Sequence, residues 1–230
     1  MGLVVLGMHR SGTSLLIGLL QVCGYNLGKV SEKTSQYKPT GTRENLELRR
    51  INNEILHYNN CSWNMPIEDL KINQELVLKM KSFCSRHLSG KWAIKDPRMI
   101  LTYSIWQEYL PGHKVLATVR HPLNVANSLS LKSKVNIQKG VDLWSFYNSI
   151  LFKLWHKRSF PIINFDLSKD DYLLQLSKWE NYLSIKIDKS DFSTFYSHSS
   201  PNIGNTEQTL DDYTMKLYKQ MTSLTVQNNV

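Results

Sequence analysis

Short apolar runs alternate along the chain with segments of helical periodicity. Gly2–Leu6 is an apolar run of strand type, followed by Leu15, Leu16, Leu19, Leu20 and Cys23 at helical spacing, which predicts a helix over Thr13–Cys23 with Gly24 as its stop. Residues 25–41 are polar and rich in Ser, Thr, Pro and Gly, a long loop of the kind that often carries function. Helices are expected from about Glu44 to Tyr58 and from about Asn73 to His87. Trp92–Lys95 reads as a second strand, Ile100–Leu110 as a helix closed by Pro111-Gly112, Lys114–Val119 as a third strand, and Pro122–Leu131 as a helix with proline in its first turn. A basic loop at 132–140, a helix over Val141–Lys157, a fourth strand at Pro161–Phe165 and a helix over Leu167–Leu183 follow. The pattern is weaker from about 184 onward, with a polar stretch at 197–206 and a final helix near 209–222.

Strands alternating with helices predict an α/β fold: a P-loop-like three-layer sandwich, with a central parallel sheet of about four to five strands and helices on both faces. A chain of 230 residues suits one such domain over its whole length. Hydrophobic residues make up 41% and charged residues 20%, an ordinary globular balance, and no apolar stretch is long enough to span a membrane. The apolar segment 3–22 carries His9 and Arg10 in its middle and has no basic region before it, so strand, loop and helix explain it better than a signal peptide. Position 6 is Leu, which does not support myristoylation. Three cysteines, Cys23, Cys61 and Cys84, make no disulfide framework or metal pair, and a reducing compartment, the cytoplasm, is the default expectation. The net charge of +9 favours anionic partners such as nucleotides, phosphates, sulfates or acidic glycans. Because the charge is spread along the chain, nucleic-acid binding is the weaker reading.

In parallel sheets the ligand sits beyond the carboxyl ends of the strands, so the residues after each strand carry the argument. After the first come Gly7-Met8-His9-Arg10-Ser11-Gly12-Thr13-Ser14, the G-x-x-x-x-G spacing of a phosphate loop with Thr-Ser in place of Lys-Ser/Thr. Glycines let such a loop wrap an anion, the helix aims its free N–H groups at it, and the cation has moved to Arg10. A plain strand-to-helix turn capped by Thr13 is the competing reading. After the second strand come Lys95-Asp96-Pro97-Arg98, and after the third Arg120-His121-Pro122, with Ser128 about two helical turns on. Arg120 and Ser128 could hold a second anion. Glu44, in Thr40-Gly41-Thr42-Arg43-Glu44-Asn45, reads either as a helix-capping carboxylate or as a general base.

These residues resemble a family. GMHRSGTSLL looks like the 5′-phosphosulfate loop of sulfotransferases that use PAPS (3′-phosphoadenosine 5′-phosphosulfate), and VRHPLNVANSL is similar to their 3′-phosphate motif. The likeness is greatest to bacterial enzymes with GMHRSGTS loops, nearer the tyrosylprotein and glycan branches than the cytosolic phenol/steroid branch. It covers roughly residues 2–130. The resemblance implies a hydroxyl-directed sulfotransferase with no metal. Ser11, Gly12, Thr13 and Ser14 would hold the 5′-phosphate, with Arg10 near the bridging oxygen and the sulfuryl group. Arg120 and Ser128 would hold the 3′-phosphate, Glu44 would be the base, and Lys95 would stand near the sulfuryl group. The product would be PAP, the 3′,5′-bisphosphate. The implied acceptor is a carbohydrate or small metabolite. Tyr37, Lys38, Arg43, Trp63 and Trp144 are candidates to contact it, although core packing is the better reading of the tryptophans, and His9 and His121 are alternative bases. The cytosolic branch's tryptophan and K-T-H base do not transfer: those places hold Leu15 and Asp96-Pro97. Its C-terminal glycine-rich basic loop has no counterpart beyond SSPNIGN at 199–205. A P-loop kinase using ATP and Mg²⁺ and a non-catalytic nucleotide or anionic-glycan binding protein are the rival classes.

Overall fold

The computed structural model describes residues 1–31, 41–190, 192 and 209–225. Four parallel strands form one sheet in the order β2-β1-β3-β4, with β1 at Gly2–Leu6, β2 at Trp92–Lys95, β3 at His113–Val119 and β4 at Ile162–Asn164. The helices are α1 (Thr13–Val22), α2 (Leu46–Tyr58), α3 (Gln74–His87), α4 (Met99–Trp106), α5 (Pro122–Ser133), α6 (Ile137–Lys157), α7 (Lys169–Ser177), α8 (Glu180–Leu183) and α9 (Asp212–Leu224).

Side chains alternate across the sheet, and each face has its own core. Val4, Leu6, Ile94, Val115 and Ala117 pack with apolar residues of α2 to α6 and α9. Leu3, Val5, Ala93 and Leu116 pack on the opposite face with α1, α7 and α8. All five residues of β1 are buried, the near-continuous apolar run of a strand covered on both sides. The three-layer α/β arrangement expected from the sequence is therefore present, with four strands.

The element ends differ from expectation where a polar side chain takes over the first backbone amides. Asn45 caps α2 by accepting from the Glu47 and Leu48 amides, so the helix starts at Leu46 and Glu44 lies outside it. Asn73 likewise caps α3. The stretch 132–140 is mostly helix instead of loop: α5 runs to Ser133, and Asn136 caps α6 by accepting from the Lys139 amide. Gly140 sits inside α6 because a Cβ there would come within 2.8 Å of the Ala126 backbone, so α5 and α6 close to a distance only glycine permits. The single helix expected over Leu167–Leu183 is two, with Ser168 capping α7 and the chain turning at Lys178-Trp179 before α8. The helix after β2 begins at Met99 and gives way to a turn after Trp106, and the last helix runs two residues further than expected.

Candidate active site

Gly12 and Arg10 have positive φ, 88° and 69°, which folds residues 7–12 back over the end of β1. A Cβ on Gly12 would lie 2.1 Å from the Phe165 ring, so glycine is required by both space and conformation. Gly12, and not Thr13, is the cap residue of α1, and among the described residues no side chain caps that helix. The first amides of α1 have no intrahelical partners and carry the positive end of the helix dipole, which makes an anion cradle. Ser11 precedes it, and its buried side-chain oxygen has no hydrogen-bond partner among the described residues. The Ser11 carbonyl accepts from Thr118 Oγ1 at 2.7 Å, which ties the loop to β3.

Arg10 reaches away from the loop to α5, where its Nε donates to Ser128 Oγ at 2.6 Å. Arg120, at the end of β3, donates from Nη1 to the Arg10 carbonyl at 3.1 Å. Burial, together with the Arg120 charge, lowers the Arg10 pKa to about 10. Burial also lowers that of Arg120, against the pull of Asp166, whose Oδ1 lies 3.7 Å from Arg120 Nε. Among the described residues no carboxylate pairs with Arg10. Two guanidinium groups are thus held close together in a poorly solvated place, an arrangement that an anion would relieve.

The sequence reading gave Ser128 and Arg120 one shared anion; in the structure the Ser128 hydroxyl accepts from Arg10. The serine accepts there and keeps its own proton to donate.

Glu44 and Lys95 meet beside this loop. Lys95 Nζ is 3.4 Å from Glu44 Oε1 and donates to the Thr42 carbonyl, with its side chain fully buried and that of Glu44 9% exposed. Burial lowers the Lys95 pKa, opposed by the Glu44 and Asp96 carboxylates. Arg49 Nη1 stands 4.0 Å from Glu44 Oε2. Ser14 Oγ donates to the same Thr42 carbonyl at 3.4 Å, so one peptide oxygen links α1, the Glu44 segment and β2. Lys95 is therefore committed to Glu44 and Thr42.

The His9 ring packs on Trp63, centroids 4.8 Å apart, and the His121 ring packs on Tyr218 of α9 at 4.9 Å. Trp144 is buried and donates from Nε1 to the Arg120 carbonyl at 2.8 Å, fixing the end of β3. Arg43 donates to Gln21 at 3.0 Å. Tyr37, Lys38 and residues 199–205 lie outside the described residues. Among the described residues no group of His, Cys, Asp or Glu could hold a metal ion, and no helix is long and apolar enough to cross a membrane.

One residue beside Arg120 escaped the sequence reading. Asp166 accepts from the His121 amide and from Asn124 Nδ2 (2.8 Å) and pairs with Arg120. It follows β4 by two residues, so the strand-end rule applied to the fourth strand finds it.

No family model matches the chain, and no curated protein matches it. Among solved structures it is similar to a sulfotransferase domain from the curacin biosynthetic pathway, with a TM-score of 0.58 over 96% of each chain at 13% sequence identity. The chain has the fold of a sulfotransferase domain.

Proposed function

We propose that this protein is a PAPS-dependent sulfotransferase that sulfates an acceptor hydroxyl, on a carbohydrate or a small metabolite. The observation that carries the proposal is the meeting of Arg10, Arg120 and Ser128 beside the uncapped start of α1, with Arg10 free of any carboxylate partner among the described residues. PAPS has two anionic ends, and the chain offers two anion-binding features. The loop amides, Ser11, Thr13 and Ser14 take the 5′ phosphosulfate, and Arg120 with the Ser128 proton takes the 3′-phosphate. The Ser11 hydroxyl, without a partner among the described residues, fits the first of these.

In the reaction the acceptor oxygen attacks sulfur in line with the bridging oxygen. A new S–O bond forms, and the old one breaks with its electron pair passing to the 5′-phosphate. The acceptor proton goes to Glu44. The capping role that Glu44 could have had belongs to Asn45, which supports the reading of Glu44 as a base. Lys95, 3.4 Å from Glu44 Oε1, helps to hold that carboxylate in place.

The test is a thermal-shift titration without metal, comparing PAP with AMP and ADP, on the wild type and on Arg120→Ala. A ligand at 100 times its Kd adds about 2.7 kcal/mol. At roughly 2–4 °C per kcal/mol for a chain of this size, that is a shift of about 5–11 °C. PAP should shift the wild type far more than AMP does, and Arg120→Ala should lose PAP affinity by roughly 10–150-fold, as expected for a charge-assisted hydrogen bond of about 1.5–3 kcal/mol. A shift with ADP and Mg²⁺ but none with PAP would replace this reading with the kinase.

A further inference from the structure

A groove of about 710 Å³ runs between α2 and α3. Leu46, Arg49, Asn53 and His57 of α2 line one wall, and Leu76 and Lys79 of α3 stand opposite. The α2 positions recur every three or four residues and form one stripe of that helix, so the groove follows α2 for about 16 Å. It starts beside the proposed base: Leu46 comes two residues after Glu44, and Arg49 Nη1 lies 4.0 Å from Glu44 Oε2. Arg49 thus reaches from the groove wall to that carboxylate. The groove's own carboxylates are occupied. Glu54 pairs with Lys79 at 2.9 Å and with Arg50 at 3.6 Å, and Glu75 pairs with Lys79 at 2.6 Å. Among the described residues Arg49 makes no ion pair besides the one with Glu44.

We propose that this groove binds the acceptor beyond its reacting hydroxyl, and that it takes an acidic oligosaccharide with one carboxylate on Arg49. The inference rests on the PAPS reading above and narrows its acceptor. Charge carries the acidic part. Arg49, Arg50 and Lys79 outnumber Glu54 and Glu75 along the groove. When the acceptor proton passes to Glu44, that carboxylate becomes neutral and Arg49 loses its partner. A carboxylate on the sugar next to the reacting one replaces it, and the arginine fork suits that group. The lining carries the sugar part. Tyr58, 49% exposed, offers a ring face, and Asn53 and His57 offer planar hydrogen-bonding groups to hydroxyls. Because helices wall the groove, it gives an extended peptide no sheet edge to pair with.

The test is isothermal titration of the PAP-saturated protein with a hyaluronan tetrasaccharide, which carries glucuronate carboxylates, and with uncharged chitotetraose. The acidic tetrasaccharide should bind, and chitotetraose about tenfold more weakly or not at all. Arg49→Gln should weaken the acidic tetrasaccharide by roughly 10–150-fold, as for a lost charge-assisted contact, and leave PAP within about twofold. Tyr58→Ala should weaken the tetrasaccharide several-fold. Lys178→Gln, the same charge change at an exposed lysine after α7, should leave it unaffected. The assignment falls if the tetrasaccharide does not bind, if chitotetraose binds as well, or if Arg49→Gln and Lys178→Gln lose affinity alike. It falls too if Arg49→Gln weakens PAP as much as the sugar, which makes Arg49 structural, or if tetraglutamate binds more tightly than the tetrasaccharide, which makes the occupant a peptide. All of these leave wild-type PAP binding, and so the PAPS reading, standing. If wild-type protein binds PAP no more tightly than AMP, the PAPS reading itself fails and takes this assignment with it.

Discussion

Replacing Lys95 by methionine keeps the length of the side chain and removes the ammonium group from a place with no solvent. The Glu44 carboxylate, 9% exposed, then loses the cation 3.4 Å away. Breaking a buried ion pair costs about 3–5 kcal/mol. Arg49, at 4.0 Å and 39% exposed, offsets part of this, so a loss of about 3 kcal/mol is expected. At roughly 2–4 °C per kcal/mol, the melting temperature should fall by about 6–12 °C. The second variant, Glu44→Gln in the Lys95→Met background, should recover part of the loss, with a coupling energy of about 1 kcal/mol or more. The alkaline limb offers an independent reading. Burial holds the folded-state pKa of Lys95 below its ordinary 10.5. Between those two values the unfolded chain binds more protons than the folded one, so this group makes stability rise with pH through that window. Lys95→Met should lack that contribution. The assay is chemical denaturation of the four proteins of the cycle, at neutral pH and along an alkaline series. A loss below about 1 kcal/mol for Lys95→Met, with Glu44→Gln costing the same in both backgrounds, would refute the claim that this ammonium holds the base in place.

Glu44→Gln should lower turnover by about 10²–10⁴-fold, the usual worth of general-base help, while PAP affinity measured by titration stays near the wild-type value; near-normal turnover would place the base elsewhere. Gly12→Ala places a methyl group against the Phe165 ring at a φ of 88°, and should cost about 1–3 kcal/mol in denaturation experiments together with most of the anion affinity of the loop; a neutral effect on both would mean the loop geometry is not needed.

The strands were legible because each is a short apolar run bounded by polar residues, and the sheet followed from their alternation with helices. Arg10, Lys95 and Arg120 could be singled out as candidates because each lies at or just beyond a strand end. Their partners could not. Arg10 finds Ser128 118 positions away, and Lys95 finds Glu44 at 51, contacts that no local pattern encodes. The stretch 132–140 reads as loop because Gly140 and the basic residues look like a break, whereas the glycine is there to let α6 press on Ala126. Asn45, Asn73 and Asn136 shifted helix starts by a residue or more, the usual consequence of a cap that competes with the periodic pattern for the first turn.

The φ of 69° at Arg10 carries a consequence for how this loop can vary. A left-handed backbone costs a non-glycine residue about 1–3 kcal/mol, and glycine would occupy the position without that penalty. Arg10 is also half-buried and feels the Arg120 charge. The protein is therefore carrying its loop cation against its own folding preference. Arg10→Gly should melt higher than the wild type and bind PAP worse. Screens that reward thermal robustness alone would drift toward the uncharged loop and discard the proposed anion site along with the strain.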